Sequence, residues 1–192
     1  MSQLQEKIKA LAKEFAPAQI AVRHHLHAHP ELSYKEFETA KYVKAQLAAM
    51  GIASEEKATT GLVAIIEGKN PASRIIALRA DMDALPIQEQ NDVPYKSTVP
   101  GVMHACGHDV HTSILLGAAK ILLATKDSWE GTVKLFFQPG EEKNPGGASY
   151  MIRDGALQNP APQAIVALHV HPGLETGKLS FRKGRVMASA DE

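Results

Sequence analysis

The chain has a single cysteine, Cys106, so no internal disulfide can brace it, and that thiol is free for other chemistry. It has no net charge: 21 basic residues balance 21 acidic ones, and no overall field recruits nucleic acid or an anionic membrane surface. No apolar run approaches the ~18 residues that span a bilayer, and there is no internal repeat or low-complexity tract. The opening MSQLQEKIKA has neither a hydrophobic signal core nor a cleavage site, so a cytoplasmic location is expected. What remains is an ordinary globular composition, 44% hydrophobic and 22% charged over 192 residues, which suits one domain and a small-molecule or peptide partner.

Chemistry concentrates in Met103 to Thr112, which holds Cys106 and three of the nine histidines, His104, His108 and His111, in ten residues. Cys106 and His108 are two apart, so in an extended or tightly turned segment both side chains leave one side of the backbone and can share a metal ion. Gly107 lets the chain bend between them. A helical pattern follows at Thr112, with Ile114, Leu115, Ala118, Ile121 and Leu122 as its apolar stripe up to about Ala124.

Upstream, Leu4, Ile8, Leu11 and Phe15 recur at helical spacing, and a second series from Ile20 leads into His24, His25, His27 and His29. These histidines are spread around the helix, and Pro30 ends it, so they read as structural or surface residues. Ser33 and Glu36 have the spacing of a capping box, with Leu32 and Phe37 as its hydrophobic staple. The helix they open runs to about Met50, with Phe37, Ala40, Val43, Leu47 and Met50 as its buried stripe and Gly51 at the left-handed stop.

From Gly61 the period changes to that of strands. Gly61–Glu67 and Ser73–Arg79, joined across Gly68 to Pro71, read as a hairpin entering a buried sheet. Arg79, Asp81 and Asp83 alternate at the end of the second strand and should project to one side. A further strand, Thr132–Gln138, stops at Pro139-Gly140 and is followed by the adjacent carboxylates Glu141 and Glu142, which point to different sides and can hold different jobs. A short helix from Ala148 to Arg153 precedes the apolar strand 163–168, with His169 at its end; His171, two further on, is the alternative to it, and periodicity alone does not choose between the two. The fold class expected is α/β, a mixed sheet flanked by helices. Strand ends on one edge of such a sheet converge on a crevice, so Asp81, Asp83, Glu141, Glu142 and His169 can meet there with Cys106 and His108.

Taken together and in this order, HPELS, RADMDALP, MHACGHDVHT, QPGEE and LHVHPG resemble the M20 metallopeptidases. The likeness is to the amidohydrolase branch, which includes aminoacylase-like, hippurate-hydrolase-like and indole-acetyl-amino-acid hydrolases. It implies a zinc-peptidase-like catalytic domain and a pair of divalent ions, Zn²⁺ or Mn²⁺ with Co²⁺ or Ni²⁺ also compatible. It implies metal ligands at Cys106, His108, Glu142 and His169, a general base at Glu141, and an orienting carboxylate at Asp83, for which Asp81 is the alternative. The expected reaction is hydrolysis of the amide of an N-acyl amino acid or related small conjugate. Metallo-carboxypeptidase and N-acetyldiaminopimelate deacetylase activities are alternatives within the family, and a metal-binding module without activity is an alternative outside it. Family members continue past the Ala-Ser-Ala-Asp-Glu segment into a lid domain and then complete the catalytic domain. Residues 1–192 are therefore expected to be the N-terminal part of that domain, weakly active alone and inclined to pair with a second copy or a complementary C-terminal fragment.

Overall fold

The computed structural model describes residues 2–181 and 183–184; the segment 188–192 lies outside them. Helix α1 (Gln3–Ala28) is one continuous element that carries Pro17 within it. Its N-terminus has a reciprocal capping box between Ser2 and Gln5. Helix α2 spans Phe37–Ala49 and α3 spans His108–Ala124. The strands are β1 (Ser54–Lys57), β2 (Gly61–Glu67), β3 (Ile75–Asp81), β4 (Thr132–Gln138) and β5 (Ala164–Ala167), and α4 (Gly147–Arg153) lies between β4 and β5.

The sheet order is β1-β2-β4-β3-β5. β1 and β2 form an antiparallel hairpin, β2 pairs antiparallel with β4, and β3 runs parallel to both β4 and β5. The expected hairpin between β2 and β3 is therefore absent, because β4 is inserted between them. β4 is buried along its whole length, as a central strand must be, and its apolar run competes successfully for both neighbours. The hairpin partner of β2 is β1, whose sequence Ser-Glu-Glu-Lys carries no strand-like apolar pattern.

Two cores sit on opposite faces of the sheet. On one face Val133, Leu135 and Phe137 of β4 pack with Leu62, Ala64 and Ile66 of β2 against α1 (Val22, Leu26), α2 (Val43, Leu47) and α3 (Leu115, Leu116, Ala119). On the other, Phe136, Val63 and Ala77 pack with Met151 of α4 and Ala156. The alternation along β4 thus feeds both layers. In α3 the stripe is rotated from the expected one: Ile114 is half exposed while Leu116 is buried.

The start of α2 also departs from expectation. Glu36 does not cap; it is buried, and its carboxyl accepts from Tyr34 N, Gly140 N and Thr60 Oγ1. Burial nevertheless pushes its pKa up. Glu31 caps the helix instead, accepting from the backbone N–H of Glu38 and Thr39. Phe37 is exposed rather than part of the buried stripe, whereas Gly51 does stop the helix at φ +76°.

Because β3, β4 and β5 are parallel, their C-terminal ends lie along one edge of the sheet. The residues that follow them, and the N-terminus of α3, converge there.

Candidate metal centre

The turn into α3 sets the geometry. Gly107 has φ +85°, which a residue with a Cβ rarely adopts, and this lets the helix start at His108 rather than at Thr112. The first turn of α3 is pinned to the end of β3 by three bonds: His108 Nδ1 to Asp83 Oδ1 (3.1 Å), His111 Nδ1 to Asp81 Oδ1 (2.6 Å) and Thr112 Oγ1 to the Asp81 carbonyl (2.7 Å). These polar residues are buried and carry no apolar period, which is why the helix start was hidden from the sequence.

Asp83 is a fully engaged carboxylate. Besides His108 it accepts from Ser33 Oγ at 2.6 Å and from Glu142 N at 3.0 Å. Burial raises its pKa, but these donors outweigh it and hold the group at about 2. An ionised Asp83 accepts a hydrogen bond from the Nδ1–H of His108 and leaves Nε2 facing the crevice. That Nε2 is buried and has no hydrogen-bond partner among the described residues. It lies 3.7 Å from Asp81 Oδ2, 3.7 Å from Glu142 Oε1 and 3.9 Å from Glu141 Oε2. Burial lowers the His108 pKa, yet Asp83, Asp81 and Glu142 raise it overall.

Cys106 Sγ lies 3.4 Å from His169 Nε2, and the donor atoms of Cys106, His108 and His169 all fall within 4.8 Å of one another. The same holds for His108, Glu141 and Glu142. Burial pushes the Cys106 thiol up to about 12, helped by Glu142, Glu141 and Asp81, and burial also raises Glu141, with Glu142 adding to it.

These residues fit a divalent cation. An orphaned buried imidazole nitrogen faces carboxylates, its other nitrogen is held by a carboxylate as ligating histidines usually are, and a thiol and a second imidazole stand within reach. The excess of carboxylates at the crevice is the charge a cation would balance, and a thiol ligates by giving up its proton.

The structure thus brings together Cys106, His108, Asp83, Glu141, Glu142 and His169. His171 Nδ1 accepts from Gly173 N at 3.1 Å, and His171 is in none of the candidate ligand groups found among the described residues. Glu141 and Glu142 do not separate as their adjacency suggested: both lie within 4 Å of His108 Nε2. Asp81 is paired with Arg79 at 2.7 Å as well as with His111. His111 carries no assigned role in the sequence reading, and Ser33, expected as a helix cap, instead donates to Asp83. The His108-x-x-His111 spacing on one helix face could have flagged His111, but nothing local flags the Ser33 bond. The α1 histidines behave as structural groups: His24 stacks on Tyr95, His25 on Tyr42, and buried His27 bonds Asp109 and Glu89.

The model of peptidase family M20/M25/M40 matches residues 77–187, which is more than half of the chain. The chain belongs to this family. Among similar M20 relatives, an N-acyl-L-amino acid amidohydrolase of Geobacillus stearothermophilus is 44% identical over 187 residues, 97% of this chain and 50% of that protein. Thermostable carboxypeptidase 2 of Saccharolobus solfataricus is 44% identical over 191 residues, 98% of this chain and 48% of that protein. A dinuclear metal-binding peptidase of the M20 family from Bacillus subtilis superposes with a TM-score of 0.79 at 41% identity, covering 84% of this chain and 45% of that one. The M20 chain thus spans about half the length of these relatives. No helix among the described residues is long and apolar enough to cross a membrane.

Proposed function

We propose that this M20 chain carries the metal-binding part of a hydrolase that cleaves the amide bond of N-acyl amino acids or related small conjugates. The observation that carries the reading is the buried, unpartnered His108 Nε2, oriented by Asp83 and facing Cys106, His169, Glu141 and Glu142. Cys106, His108, Glu142 and His169 would hold two divalent ions, zinc or manganese, with cobalt or nickel also accepted by this donor set. When bound, the ions polarise an amide carbonyl and make water a usable nucleophile near neutral pH.

The protein's own residues then divide the remaining work. Asp83 fixes the His108 tautomer and ring plane. Glu141, raised by burial and by its neighbour Glu142, takes a proton from water and returns it to the leaving amine. A cytoplasmic setting is part of the reading, since a reducing compartment keeps the Cys106 thiol available.

Residues 1–192 are read as the N-terminal part of the M20 catalytic domain, with a complementary C-terminal portion or a second copy as partner. Apolar exposure at β5 supports this, because Ile165 and Val166 within the strand and Leu168 just after it are about half exposed. Cleavage of a peptide's terminal residue is the second reading, favoured by the identity to the carboxypeptidase. The test is hydrolysis of N-acetyl and N-benzoyl amino acids against short unblocked peptides, with zinc or manganese. It is run on this chain alone and joined to the second half of an M20 relative. Turnover of the acyl amino acids in the joined protein is expected; turnover of peptides alone would favour the second reading, and none with either would overturn both.

A further inference from the structure

His111 has no role in the reading above, yet it is buried beside the centre and both its ring nitrogens are engaged. Val170 N donates to His111 Nε2 at 3.0 Å. A backbone N–H can only donate, so Nε2 carries no proton and the ring proton sits on Nδ1, where it is donated to Asp81 Oδ1 at 2.6 Å. Asp81 is fixed in turn by Arg79 at 2.7 Å, and Arg79 Nε donates to Gln138 Oε1 at 2.9 Å. A chain of polar contacts thus runs from the end of β4 through Arg79, Asp81 and His111 to the backbone of residue 170.

Residue 170 follows His169 directly, and this segment leaves β5, whose residues are exposed and whose pairing is to β3 alone among the described strands. Little packing holds it. A second contact reaches the same place from the same helix end: a Cβ on Gly107 would overlap Val170 Cγ2, so Val170 sits against the turn that carries Cys106 and His108. His169 stands edge-on to the His111 ring, with centroids 4.6 Å apart.

We propose that His111 is a positioning residue: as a neutral imidazole fixed by Asp81, it clamps the Val170 amide and thereby holds His169 over Cys106. Both ring nitrogens being engaged, His111 is not itself a ligand, although it lies within reach of Asp81 and His108. The inference rests on the reading of Cys106, His108, Glu142 and His169 as a metal centre and adds the device that keeps the least supported of the four in place.

The probe is Co²⁺ alone, titrated into the 192-residue chain and followed by its ligand-field bands and its thiolate charge-transfer band, with folding checked by circular dichroism. In His111→Asn the amide stands in for Nδ1 and keeps the donor to Asp81, but the acceptor for Val170 is lost. In His111→Gln the amide oxygen reaches the Nε2 position and keeps that acceptor. His111→Asn is expected to weaken Co²⁺ binding by about 10- to 100-fold, the usual scale for residues that orient ligands, while His111→Gln binds like the unaltered chain. Val170→Pro removes the donated N–H without touching the buried ring, so it gives the same test if His111→Asn fails to fold, and it should weaken binding equally. In a His169→Ala background neither His111→Asn nor Val170→Pro should cost anything further. If His169→Ala weakens Co²⁺ binding but His111→Asn and Val170→Pro do not, or if their cost is as large without His169 as with it, the clamp is wrong and the centre stands. If His169→Ala leaves Co²⁺ binding and its spectrum unchanged, the assignment of the centre itself fails.

Discussion

Asp83 and His108 form the hinge of the site: the carboxylate of one, 3.1 Å from Nδ1 of the other, fixes which imidazole nitrogen faces the crevice. The same carboxylate receives Ser33 from the segment before α2 and the backbone of Glu142 from beyond β4. Three parts of the chain far apart in sequence are therefore tied at one carboxylate, and the ionisation of Asp83 should be felt in stability.

Asp83 is held at about 2 against an ordinary 3.8. An acid depressed on folding adds stability above its unfolded value and loses it as the pH falls through the folded one. Its contribution should be present above pH ~4 and lost toward pH ~2, and the difference is worth about 2 kcal/mol. Chemical denaturation across that window should show the loss in the unaltered protein and a smaller one in Asp83→Asn; an equal loss in both would contradict it.

Cys106→Ser and His108→Ala should each lower the amount of zinc retained after dialysis, whereas His24→Ala and His25→Ala should not. The first pair shares a turn at the crevice; the second stacks on Tyr95 and Tyr42 on the flank of α1. Equal metal content in all four variants would remove the basis for the site.

Glu141→Gln should leave metal content near normal and, in the protein joined to the second half of an M20 relative, lower turnover by ~10²-fold or more, the usual scale for a general base. Glu142→Gln should cost metal. Since both carboxylates lie within 4 Å of His108 Nε2, the opposite pattern would mean that their roles are exchanged.

Leu135 is fully buried on β4, the strand from which both cores are built. Leu135→Ala should cost about 2–5 kcal/mol of unfolding free energy, the range for cavities in well-packed cores. A loss well below this in denaturant titration would mean that β4 is not central.

Much of this was legible in the sequence because it rests on local periodicity. Strands β2, β4 and β5 stand within a residue or so of where their apolar runs place them, and the residues at strand ends do converge. Strand pairing was not legible, because β2 and β3 read alike from either side of β4 and no local feature says which strand lies between. Glu36 misled for a related reason: the capping-box spacing is there, but Thr60 and the Gly140 backbone, distant in sequence, draw its carboxyl inward. His111 was hidden among conspicuous neighbours, since its partners are a strand-end carboxylate 30 residues before it and a backbone amide 59 residues after it.

Ligation of one metal centre by both Cys106 and His108 is decided by X-ray absorption at the zinc edge of the zinc-loaded chain. A sulfur scatterer is expected at about 2.3 Å beside nitrogen and oxygen at about 2.0–2.2 Å, with the sulfur shell lost in Cys106→Ser and the imidazole scattering reduced in His108→Ala. A shell of oxygen and nitrogen alone, unchanged by either substitution, would contradict it.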